Sequence, residues 1–134
     1  MKTILFVDDD PFIVQVYQRA LTAGGFHVET AEDGLLAMKV LSQLCPDLVV
    51  LDVLMPKVDG TYVLKFIRSR PELKDVKVIV LSEAINADVG QNVLALSPDR
   101  VFLKSQATPK EVLKTARELL GELPPAPPPP APEA

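Results

Sequence analysis

The chain has 134 residues, with 18 acidic and 14 basic side chains and a net charge of −4, so it offers no electrostatic footprint for nucleic acid or an anionic membrane. Apolar residues make up 48% and aromatics only 5%, which suits one domain with an aliphatic α/β core better than an aromatic-rich sandwich. No apolar run is long enough to span a bilayer. The short apolar start, Ile4–Val7, meets Asp8-Asp9-Asp10 where a signal peptide would continue, and one cysteine, Cys45, closes no internal disulfide; the chain reads as cytoplasmic.

Thr3–Val7 reads as a first strand. Asp10 then offers an N-cap and Pro11 a first helical position. Phe12, Ile13, Val16, Tyr17, Ala20 and Leu21 form one apolar helical stripe, which Gly24-Gly25 stops. His27–Thr30 is a short strand. A second helix starts at about Gly34 with Leu36, Ala37, Val40, Leu41 and Leu44 inward, and Pro46 ends it. The run from Asp47 to Asp52 is apolar on both faces in its middle, which predicts a central strand covered on both sides. Gly60–Ser69 reads as a helix with Val63, Leu64 and Ile67 inward. Tyr62 and Phe66 then point outward, either as a stabilising aromatic pair or as a contact patch for a partner or a second copy.

Val78–Leu81 is another buried strand. Asn86–Leu96 is a weaker helix, because Gly90 and Asn92 lower its propensity. Val101–Leu103 is the fifth strand. Thr108-Pro109-Lys110-Glu111 forms a capping box before a last helix with Val112, Leu113, Ala116, Leu119 and Leu120 inward, closed by Gly121. Alternating βα units imply a doubly wound α/β domain over residues 1–121, with a parallel sheet and its ligand at the carboxyl ends of the strands. Residues 122–134 are proline-rich. They are expected to be extended or disordered, as a spacer to an output domain, a ligand for a proline-binding domain, or an inert tail.

The strand ends carry the chemistry. The first ends in Asp8-Asp9-Asp10, the third in Asp52, the fourth in Ser82 and the fifth in Lys104. A parallel sheet brings all of them to one edge. Clustered carboxylates repel and rise in pKa unless a hard cation joins them. Mg²⁺, with Mn²⁺ as the alternative, suits such an oxygen-ligand site. Asp10 reads as the N-cap alone.

These motifs resemble the receiver domain of bacterial two-component response regulators over Lys2–Leu120. The resemblance rests on Ile4–Pro11, Pro46–Asp52, the D-x-x-M-P-x-x-D-G pattern from Asp52 to Gly60, Val80-Leu81-Ser82 and Phe102-Leu103-Lys104. It implies a flavodoxin-like (βα)₅ fold with strand order 2-1-3-4-5. Asp52 then accepts a phosphoryl group from a phosphohistidine on a sensor histidine kinase or histidine phosphotransfer protein. Asp9 is the direct Mg²⁺ ligand beside Asp52, Asp8 acts mostly through water, and Leu54 lends its backbone carbonyl. Lys104 and Ser82 bind phosphoryl oxygens. The chain would catalyse only its own phosphorylation and dephosphorylation. It would switch a partner-binding face around the fourth predicted helix, the fifth strand and the last helix.

Three positions depart from the family pattern. Ser105 follows Lys104, where the family has proline after a cis peptide. A cis bond before a non-proline costs roughly 3–4 kcal/mol, against about 0.5–1 before proline, so the loop is either strained or rebuilt. Val101 stands where the switch aromatic belongs, and Phe102 should face the other side of the strand. Leu54 cannot position a water by hydrogen bonding, which predicts slower self-dephosphorylation than in a Leu54→Asn variant. Two rival readings are an aspartate-nucleophile phosphatase, whose second acid is absent at Leu54, and a receiver-like interaction module that is never phosphorylated.

Overall fold

The computed structural model describes residues 2–52, 60–82 (the backbone alone at Ser82) and 96–121. The elements are β1 (Thr3–Val7), α1 (Pro11–Ala23), β2 (His27–Ala31), α2 (Gly34–Gln43), β3 (Leu48–Asp52), α3 (Gly60–Ser69), a short 3₁₀ turn (Pro71–Leu73), β4 (Lys77–Ser82), β5 (Arg100–Leu103) and a C-terminal helix, α4 (Pro109–Leu119). The helix expected over 86–96, apart from Leu96, and the tail over 122–134 lie outside the described residues.

The five strands form one parallel sheet in the order β2-β1-β3-β4-β5, as expected. Side chains alternate along each strand between two apolar layers. Leu5, Val7, Val49, Leu51, Val78 and Val80 pack beneath α2 and α3, while Ile4, Phe6, Leu48, Val50, Ile79 and Leu81 pack beneath α1 and α4. All of β3 is buried, which is why its sequence reads apolar on both faces.

The helix ends follow local chemistry. Asp10 accepts the Phe12 N–H at 3.0 Å, Asp33 accepts the Leu36 N–H at 2.9 Å, and Thr108 accepts the Glu111 N–H at 3.2 Å. After α1 the chain turns at Gly25, whose φ of 98° is open to glycine at no steric cost.

Two helical faces differ from expectation. Phe12 is 70% and Leu36 42% exposed. In α1 the buried meridian runs through Tyr17 and Leu21 with Ile13 and Val14 beside it. In α2 it runs through Gly34, Ala37 and Leu41. Each misplaced residue sits one position from that meridian, about 100° around the helix. In α3, Val63, Leu64 and Ile67 are buried and Tyr62 is exposed, as the spacing predicts. Phe66, however, is half-buried against the α2–α3 layer, and the Arg70 guanidinium covers its ring at 4.4 Å, a cation–π contact one turn along.

Candidate functional site

The strand register builds the site. Val7 pairs with Leu51, so Asp8 and Asp52 follow side by side. Asp52 pairs with Leu81, and Ser82 pairs with Leu103. Lys104 therefore emerges at the same edge, two strands away from Asp52. Residues scattered over the sequence meet because parallel strands all end on one side.

Asp8 and Asp52 are 1% and 2% exposed, whereas Asp9 is exposed. Lys104 Nζ lies 2.8 Å from Asp8 Oδ2 and donates a hydrogen bond to Asp52 Oδ2 at 3.1 Å. Asp8 Oδ1 accepts the Asp10 N–H at 2.9 Å, and Asp8 itself is tied to β2 by its own N–H to the Ala31 carbonyl at 3.1 Å. Burial pushes the Asp8 carboxyl above its ordinary value, against the opposing pull of Lys104 and the Asp10 N–H. Burial also works against the Lys104 ammonium, but Asp8 and Asp52 outweigh it and hold the group well above the usual lysine range. Lys104 therefore stays charged at neutral pH.

A divalent cation fits these residues. One carboxylate oxygen from each of Asp8, Asp9 and Asp52 lies within 4.8 Å of the others. Asp8 Oδ2 is buried and, beyond its charge contact with Lys104, has no hydrogen-bond partner. When ionised, three carboxylates against one ammonium leave an excess of negative charge, and a hard dication with oxygen ligands compensates it.

The structure brings together the predicted Asp8, Asp9, Asp52 and Lys104. Ser82 is placed at the site edge by its backbone; its side chain and Leu54 lie outside the described residues. The loop after β5 is rebuilt: every described peptide is trans, and the Leu103 carbonyl accepts the N–H groups of Gln106 and Ala107, each at 2.9 Å. Val101 and Phe102 pack on opposite layers, as expected from their alternation. Tyr17, which the sequence places on the apolar stripe of α1, is buried and stacks on Phe6 at 4.8 Å, and its closeness to the site was not foreseen. Its hydroxyl is raised by burial and then by the Asp8 charge. The signal available was its i+4 partner Leu21, which marks a buried helical face but not its closeness to Asp8.

A family model described as "Response regulator receiver domain" matches residues 4–117. The chain belongs to that family. This receiver domain is thus a two-component phosphoacceptor module with a flavodoxin-like fold. It is 38% identical over 82 residues to the DNA-binding dual master transcriptional regulator RpaA of Synechocystis, covering 61% of this chain and 34% of that protein; the chain spans about a third of that relative's length. It is similar to the response regulator TrrA of Thermotoga maritima, solved in complex with Mg(2+)-BeF, at 32% identity and a TM-score of 0.76, covering 90% of this chain and 100% of that one. It is also similar to the chemotaxis protein CheY4 of Vibrio cholerae at 28% identity and a TM-score of 0.81, covering 90% and 99%. No helix among the described residues is long and apolar enough to cross a membrane.

Proposed function

We propose that Asp52 is the phosphoacceptor of this receiver domain, in a site held by Asp8, Asp9 and Lys104 and completed by Ser82 and the Leu54 carbonyl. The observation that carries this reading is Lys104 Nζ within 3.1 Å of Asp52 and 2.8 Å of Asp8. An Asp52 carboxylate oxygen attacks the phosphorus of a phosphohistidine. The P–O bond forms as the P–N bond breaks, and the leaving imidazole keeps the electron pair and takes up a proton. Phosphoryl transfer needs chiefly alignment and neutralisation of the equatorial oxygens. Lys104 offers one fixed positive charge for them. Mg²⁺ held by Asp8, Asp9 and Asp52 would supply further positive charge at the same oxygens. The donor is a sensor histidine kinase or a histidine phosphotransfer protein in the cytoplasm.

The phosphoryl group adds negative charge and strong acceptor oxygens beside Lys104 and Ser82. Those contacts bias the connection between β4 and β5, and so the face presented to a partner. Incubation with acetyl phosphate and Mg²⁺, followed by intact mass, tests the reading. The native chain is expected to gain one phosphate and Asp52→Asn none. Equal gain in both would put the phosphate on a residue other than Asp52, and gain in neither would leave the unphosphorylated interaction module as the better reading.

A further inference from the structure

At the edge of the sheet opposite the acidic site lies a cleft of about 370 Å³. Leu119, Leu120, Pro46 and Val76 form its apolar part beside Cys45, and the charged Lys2, Asp47, Glu72, Asp75 and Lys77 line the rest. That volume falls in the range of ordinary ligand pockets, and nothing in the phosphoacceptor chemistry uses it. Leu119 and Leu120 are also the last residues before the chain leaves the C-terminal helix. There Lys2 Nζ donates to the Leu120 carbonyl at 3.3 Å, and Gly121 has a φ of 69°. Its N–H reaches the Glu118 carbonyl at 3.3 Å.

We propose that the chain's own proline-rich segment, Leu123–Pro130, docks in this cleft. The segment leaves from the cleft wall. The left-handed cap at Gly121 turns the chain off the helix axis. The prolines that follow bring no backbone N–H, so burying them leaves no unpaired donor. Their extended conformation is largely set in advance, which lowers the ordering cost. Tethering through Gly121 makes the encounter intramolecular, at a high effective concentration.

Cys45 provides the test, because it is the chain's single cysteine, is exposed, and lines the cleft. The rate of iodoacetamide labelling is measured on the full chain, on a full-length chain whose residues 123–130 are exchanged for glycine and serine, and on Leu123→Asp. Labelling is expected to be roughly tenfold faster in the exchanged chain, the factor that a docked fraction of about nine-tenths gives, and intermediate in Leu123→Asp. Equal rates in the native and exchanged chains would overturn the proposal. So would protection that grows with protein concentration, since the occupant would then belong to a second copy.

Discussion

Lys104 Nζ and Asp52 Oδ2 stand 3.1 Å apart at the ends of β5 and β3, although 52 residues of sequence separate them. The lysine side chain is 12% exposed and the aspartate 3%, so the contact is close to a buried ion pair. Removing one partner of such a pair strands the other charge, a loss of about 3–5 kcal/mol. Lys104→Met is therefore expected to lower the unfolding free energy by about 3 kcal/mol in metal-free buffer. Added Mg²⁺ should recover more stability in the variant than in the native chain. Urea titrations with and without Mg²⁺ check both statements, and an unchanged midpoint without metal contradicts the first.

Asp8 sets a pH dependence. Its folded pKa lies above its unfolded value because burial disfavours the anion. Between those two values the folded chain holds more protons than the unfolded one, so Asp8's contribution to stability falls as pH rises through that window. Above the folded pKa the ionised group is a net cost. Asp8→Asn is therefore expected to be more stable than the native chain at neutral pH without metal, and to gain less from Mg²⁺. Lys104 has the opposite sign: its raised pKa adds stability that is complete below its unfolded value and lost only at strongly alkaline pH. Thermal midpoints across pH for both chains decide the matter.

Arg68 of α3 ties the starts of β4 and β5 together. Its guanidinium donates to the carbonyls of Val76 at 3.1 Å, Leu96 at 3.2 Å and Ser97 at 2.9 Å, and to Asp99 Oδ2 at 3.3 Å. Asp99 Oδ2 also accepts the Val78 N–H at 2.8 Å. Arg68→Ala strands several acceptors and is expected to cost about 2–4 kcal/mol. Arg68→Lys should recover little, because an ammonium cannot reproduce the planar fork. Recovery of most of the stability by lysine would contradict the geometric account.

Ser97 has a φ of 54°, in the left-handed region where a Cβ is strained. Ser97→Gly is expected to stabilise the fold by about 0.5–1 kcal/mol, the relief of strain exceeding the added freedom of the unfolded chain. The Ser97 carbonyl keeps its bond from Arg68 in the variant. A lower urea midpoint would show that the serine side chain contributes something its backbone does not.

The capping residues Asp10 and Thr108 and the glycine stops were readable because each acts within a few residues of its own position. The phases of α1 and α2 were less so: Phe12 and Leu36 satisfy a helical repeat as well as their neighbours do, and only the sheet beneath decides which neighbour is covered. Phe66 was misplaced for a related reason, since its cover is the Arg70 side chain one turn along.

By itself the sequence determined the order of strands and helices and which residues end each strand, because hydrophobic periodicity and caps are local. It also placed Asp8, Asp9, Asp52, Ser82 and Lys104 at those ends. Only the tertiary structure decided that Asp8 rather than Asp9 is buried, that Lys104 bridges Asp8 and Asp52, and that the loop after Lys104 closes on the Leu103 carbonyl. Those outcomes depend on strand register and on the balance of burial against charge, which are set by the whole fold and leave no mark in any short stretch of chain.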